Sequence, residues 1–179
     1  VPPSATIGTL SVNTTYYGRV DATLNGSDSA WSTSATTATL ANIPAAPVNP
    51  WTSVNFTSVT VSWLTNGNPA SVTQYVVNLS TVNDFGSGVI LSSTTYLLSA
   101  DFTGLENSTT YYSQVKAINH SGISTAFLNL GSTYTLTTPI PTNLMFTAAT
   151  LNTLTASWDD TVPVADAYTL RLSTDSNFI

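Results

Sequence analysis

At 179 residues the chain has room for one large domain or two small ones. Only Arg19, Lys116 and Arg171 are basic against nine acidic side chains, a net charge of −6 with the one histidine neutral. That excludes the clustered cations with which proteins meet a phosphate backbone, and so a nucleic-acid partner. The absence of cysteine excludes disulfides, thiol chemistry and Cys-based metal sites.

Charged residues make up 7% of the chain, where soluble domains carry about a quarter. Hydroxyls take their place: 23 Ser and 33 Thr, nearly a third of all residues, keep a surface hydrated with little charge, and Thr suits half-exposed strands. The opening Val1-Pro2-Pro3-Ser4 lacks an initiator Met and a charged-then-apolar leader, so the sequence is expected to be a mature or excised segment. No apolar run approaches the ~20 residues of a membrane-spanning helix, and none is expected.

Along the chain, apolar residues recur with period two and no helical stripe appears, which predicts an all-β protein. The segment Asn13-Thr14-Thr15-Tyr16-Tyr17 lies ahead of the proline-stiffened linker Asn42-Ile43-Pro44-Ala45-Ala46-Pro47. Val59, Val61 and Trp63 then alternate with Thr60 and Ser62, giving a strand with one apolar and one hydroxyl face and a buried Trp63. Beyond the turn Asn66-Gly67-Asn68-Pro69, a second strand sets Tyr75, Val77 and Leu79 on one face. Tyr96-Leu97-Leu98, Leu105, a strand with Tyr111, Val115 and Ala117 inward, and the closing Thr133-Tyr134-Thr135-Leu136 complete the series. After a second linker, Thr138-Pro139-Ile140-Pro141, the pattern restarts: Leu154 to Trp158, a turn at Asp159 to Pro163, and a predicted strand with Tyr168, Leu170 and Leu172 on one face.

The restart is a repeat. Val59 to Trp63 returns as Leu154 to Trp158, 95 residues on; at the same shift Asn13 to Tyr17 returns at Ser108 to Tyr112, and Leu10 falls on Leu105. Tyr168 follows Tyr75 by 93, which places a two-residue deletion in the intervening turn. The chain therefore divides into the second half of one repeat (residues 1–43), one whole repeat (44–138) and the first half of a third (139–179).

These residues resemble the fibronectin type III family. A Trp on the second strand matches Trp63 and Trp158, and the family's Leu six residues before a Tyr matches Leu10 with Tyr16 and Leu105 with Tyr111. The segments Tyr16 to Ala22, Ser29-Ala30-Trp31-Ser32 and Leu172 to Phe178 look like the version common in bacterial secreted and cell-surface proteins. The Pro usual two residues after the Leu is replaced by Val12 and Asn107. The resemblance implies tandem seven-stranded β-sandwiches, one complete and two partial. It assigns a structural core role to Trp63, Trp158, Leu10, Leu105, Tyr16 and Tyr111, with each corner Tyr hydroxyl bonding back to the chain.

Chemistry is sparse. His120, in Ile118-Asn119-His120-Ser121-Gly122, has neither the nucleophile and carboxylate of a catalytic site nor the co-ligands of a zinc site, and reads as a loop residue. Asp159, Asp160 and Asp166 offer three carboxylates where calcium wants six to eight oxygens, and read as a solvated turn. The resemblance places the loop that carries the family's best-known ligand motif, Arg-Gly-Asp, at Leu24-Asn25-Gly26-Ser27-Asp28-Ser29, where the Arg is missing. Tyr17, Tyr112 and Trp51 are candidates for a sugar-binding strip or, more simply, for cross-strand packing. Asn-x-Ser/Thr triplets stand at Asn13, Asn25, Asn55, Asn78, Asn107 and Asn119.

No catalytic, cofactor-binding or metal-binding residue is expected. The chain reads as a non-enzymatic, extracellular structural or spacer module of a filament, adhesin or sheath. Its expected partners are neighbouring repeats or copies of itself, with cell-surface glycans as a further class. The alternatives are a spacer in a secreted polysaccharide-degrading enzyme and a carbohydrate-binding module.

Overall fold

A computed structural model describes residues 3–87 and 90–178; Val1, Pro2, Gly88, Val89 and Ile179, and with them the reading of the first two residues, lie outside. The described residues contain thirteen strands and no helix. They fall into two compact units, Val1–Leu136 and Thr137–Ile179.

Within the first unit, residues 45–136 build a complete sandwich. Its strands are β5 (Trp51–Val54), β6 (Ser58–Ser62), β7 (Gln74–Ser80), β8 (Ile90–Thr95), β9 (Ser99–Thr103), β10 (Thr110–Ile118) and β11 (Leu128–Tyr134). They form a three-stranded sheet in the order β5-β6-β9 and a four-stranded sheet in the order β11-β10-β7-β8, every pairing antiparallel. Period-two alternation decides which side chains meet between the sheets. β6 turns Val59 and Val61 inward, β7 Tyr75, Val77 and Leu79, and β10 Tyr111, Val115 and Ala117, and all of these are buried. Trp63, 2% exposed, closes the cluster with its ring centroid 5.6 Å from that of Tyr75. Each fully buried aliphatic or aromatic side chain contributes about 1.5–3 kcal/mol.

The head of the same unit carries β1 (Thr15–Gly18), β2 (Thr23–Leu24), β3 (Ser27–Asp28) and β4 (Ala35–Ala38). β1 pairs with β4, and β2 with β3. The β2–β3 connection is Asn25-Gly26, both at positive φ (51° and 80°), the conformation a two-residue hairpin requires and Gly supplies without strain. Of residues 3–43 only Asn13 and Ala38 are buried. The core role assigned to Leu10 is therefore corrected: it is 41% exposed, because among the described residues no second sheet covers this face, and Tyr16 is half-buried for the same reason.

The second unit contains the hairpin β12 (Thr142–Ala149) and β13 (Leu154–Asp159), antiparallel with two register shifts. Trp158 is half-buried and edges onto Tyr168 at 5.6 Å, the counterpart of the Trp63–Tyr75 pair. The strand predicted through Tyr168, Leu170 and Leu172 does not form. Its counterpart β7 is held between β10 and β8, and among the described residues no strand lies beside 168–172 to accept a ladder.

Candidate functional site: the joint between repeats

The end of the head and the end of the complete repeat are built alike. Tyr16 Oη accepts from the Ser11 amide at 2.8 Å, and Tyr111 Oη from the Glu106 amide at 3.0 Å. A threonine then staples the last strand to this corner. The Thr14 amide donates to Thr39 Oγ1 (3.0 Å), which donates to the Ser11 carbonyl (2.6 Å). Likewise the Thr109 amide donates to Thr135 Oγ1 (3.0 Å), which donates to the Glu106 carbonyl (2.8 Å). Next to each staple a residue at positive φ, Asn13 (44°) or Ser108 (50°), donates its amide to Leu40 or Leu136.

At the head this staple sits on two loops of the complete repeat. Asn13 is fully buried; its Nδ2 donates to Thr73 Oγ1 at 2.9 Å and its Oδ1 accepts from the His120 amide at 2.9 Å. In the β10–β11 loop, Asn119 Nδ2 donates to the Thr39 carbonyl (3.1 Å), while Ser121 Oγ accepts from the Ala38 amide (3.0 Å). His120 Nδ1 lies 3.2 Å from Thr15 Oγ1. In the β6–β7 loop the asparagines interlock with the linker. The Asn42 amide donates to Asn68 Oδ1 (2.8 Å), Asn68 Nδ2 to the Asn42 carbonyl (2.8 Å), Asn42 Nδ2 to the Asn66 carbonyl (2.9 Å) and Asn66 Nδ2 to the Ile43 carbonyl (2.8 Å). Ala45 and Leu64 exchange amide bonds at 3.1 and 2.8 Å, and Ala41 packs against the core. Each neutral bond contributes about 1 kcal/mol net. Together they fix direction as well as distance, because most are paired on side-chain amides that donate and accept at once.

Tyr75 stands at the base of this seat. Burial raises its hydroxyl pKa above the ordinary value, with the side chains of Asn68 and Thr73 pulling partly the other way.

Of the core residues singled out by sequence, only those of the complete repeat converge in one cluster. Trp63, Leu105 and Tyr111 are buried in the sandwich, Trp158 and Tyr16 are half-buried, and Leu10 is exposed. Among the described residues no group of three His, Cys, Asp or Glu side chains could hold a metal ion, so Asp159, Asp160 and Asp166 are not gathered; Asp159 accepts from Asn143 instead. Tyr17 (77% exposed), Tyr112 and Trp51 lie on β1, β10 and β5, in three different sheets, and Trp51 packs against the core. The stretch Leu24 to Ser29 is the tight β2–β3 hairpin, closed by Thr23 Oγ1 donating to Asp28 Oδ1 at 2.6 Å. Two cations lie over rings, Arg19 over Trp31 at 4.5 Å and Lys116 over Phe127 at 5.0 Å.

Residues 45–127 match the family described as Fibronectin type III domain. This segment has the fibronectin type III fold. Among solved structures, the chain is similar to the solution structure of the fn3 domain of the human collagen alpha-1(XX) chain, with TM-score 0.45, 18% identity, and 57% of this chain and 91% of that one covered. It is also similar to the crystal structure of chicken CNTN1 FN1-FN3 domains (TM-score 0.38, 19% identity, 82% of this chain and 52% of that one). A third, titled "Myokine structure", gives TM-score 0.39 at 22% identity over 52% of this chain and 99% of that one. No curated protein sequence matches.

Reading the sequence alone missed the joint. His120 reads as a loop residue and Asn66 and Asn68 as turn formers, although Asn66, Asn68, Asn119 and Asn42 cluster at the repeat boundary. The available signal was that the loops facing one linker are rich in side-chain amides.

Proposed function

We propose that the chain is a non-catalytic structural spacer from an array of fibronectin type III repeats, positioned outside the cell in a filament, adhesin or sheath. One observation carries the reading: the end of one repeat is seated by a continuous set of hydrogen bonds on the loops of the next. A bound linker transmits orientation from repeat to repeat, which is what a spacer must do and what a loose tether cannot. The hydroxyl-rich, weakly charged surface supports an extracellular setting, and no helix among the described residues is long and apolar enough to cross a membrane.

The denatured mass of the polypeptide in its native source tests the array. A mass several times 18.8 kDa, with further repeats in the flanking peptides, is expected. A flanking catalytic domain for polysaccharide would instead make the segment an enzyme's accessory spacer.

A further inference from the structure

The internal architecture of the repeat ends recurs, but the side chains they offer to a following repeat do not. The staples equate Leu40 with Leu136, so Asn42 corresponds to Thr138; the shared positive φ and amide bond equate Asn13 with Ser108. Thr39 and Thr135, which hold each end together internally, are the same residue. The residues that reach outward into the seat differ.

We propose that the joint selects its neighbour. The seat formed by the β6–β7 and β10–β11 loops fits a preceding repeat that ends in Asn13 and Asn42, and not one that ends, as residues 44–138 do, in Ser and Thr at those positions. The chemistry is one of reach and donor count. The Asn13 amide spans two partners in opposite senses, giving a proton to Thr73 Oγ1 and taking one from the His120 amide. A serine hydroxyl has one oxygen on a shorter stem, and it cannot occupy both positions. Thr73 Oγ1 already donates its own proton to the Pro69 carbonyl at 2.8 Å, so it needs a donor from the neighbour. At the second position, Asn42 Nδ2 supplies the Asn66 carbonyl. Threonine has no amide to replace it. A mismatched repeat would leave the buried Thr73 hydroxyl without its donor, at a cost of about tenfold or more in the closed-to-open ratio, while the exposed Asn66 carbonyl would turn to water. The receiving side changes in step: by the 93-residue shift, Thr73 and Asn68 of the seat correspond to Asp166 and Thr161. The partner this surface fits is therefore one particular kind of repeat end, and the order of repeats is written into the joints.

The inference rests on the spacer reading only in treating residues 1–43 as the end of a repeat. The test is hydrogen–deuterium exchange on the full 179-residue chain and its Asn13→Ser, Asn42→Thr double variant, which gives the head the residues of the complete repeat. Ser108 holds a φ of 50° at the equivalent position, so serine can occupy this turn. Exchange at least tenfold faster in β1, β4, the amide at position 42 and Ala45, with β7 and β10 unchanged, is expected. Equal rates throughout would overturn selection while leaving the joint and the spacer reading intact. Acceleration reaching β7 and β10 equally would overturn it too, by showing that the substitutions weaken the sandwich. Head amides of the unaltered chain exchanging as an unfolded peptide would remove the joint, and with it both readings.

Discussion

Equivalent residues in the repeat are not energetically equivalent, and Leu10 and Leu105 show why. They occupy the same position before a corner tyrosine, yet Leu105 is 5% exposed and Leu10 41%. Leu105→Ala should lower stability by about 2–5 kcal/mol, as buried leucines do, whereas Leu10→Ala should cost roughly 0.5 kcal/mol or less; urea unfolding followed by tryptophan fluorescence measures both. Tyr75 gives a pH-dependent counterpart. Its hydroxyl pKa is raised by burial, so the folded state holds the proton more firmly than the unfolded chain. Stability is then complete below the unfolded tyrosine value, about 10, and declines as pH rises through the folded value. Tyr75→Phe should flatten the decline seen above pH 10 in urea midpoints measured from pH 8 to 11. The burial of Trp63 and Tyr111 was legible from alternation alone, since period two places them opposite hydroxyl-bearing neighbours. The exposure of Leu10 was not, because it depends on whether a second sheet lies over it.

Among elements, strands β6, β7 and β10 were readable and the loops were not; Tyr96-Leu97-Leu98 is the bend between β8 and β9. A strand announces itself by side-chain period, and β6, β7 and β10 carry it without interruption. The failure at Tyr168 to Leu172 has the same root: the pattern for a strand is present, but a ladder needs a neighbour whose backbone is unpaired. Loops took their meaning from what they touch. Asn119 looked like a turn residue and a modification triplet, yet it is 4% exposed and its Nδ2 is committed to the Thr39 carbonyl. Two triplet asparagines, Asn13 and Asn119, are thus inside the joint, and Asn78 lies in central strand β7, whereas Asn25, Asn55 and Asn107 are exposed. If the chain is secreted from a host that N-glycosylates such triplets, peptide mass spectrometry of the folded product should find glycan on Asn25 and Asn107 and none on Asn13 or Asn119. The β2–β3 hairpin makes a further element-scale prediction. Gly26→Val puts a β-branched side chain at φ 80° and should destabilise that hairpin by about 1 kcal/mol or more. Faster amide exchange confined to residues 23–28 would report it.

At the scale of the whole molecule, the joint is assembled from neutral groups in a chain with three cations. Exchange of the β1 and β4 amides should therefore change less than twofold between 20 mM and 500 mM salt, roughly the range over which screening would weaken an ionic contact. A steep salt dependence would mean that charges hold the head in place. What the sequence determined by itself was the all-β class, the two-faced strands and the 95-residue period, because these follow from the alternation and spacing of residues close along the chain. Tertiary structure alone decided that Asn13, Asn42, Asn66, Asn68 and Asn119 belong to one surface. A side-chain amide has the same turn-forming signature whether it faces water or a neighbour, and only the approach of segments 23 to 107 residues apart gives it a partner.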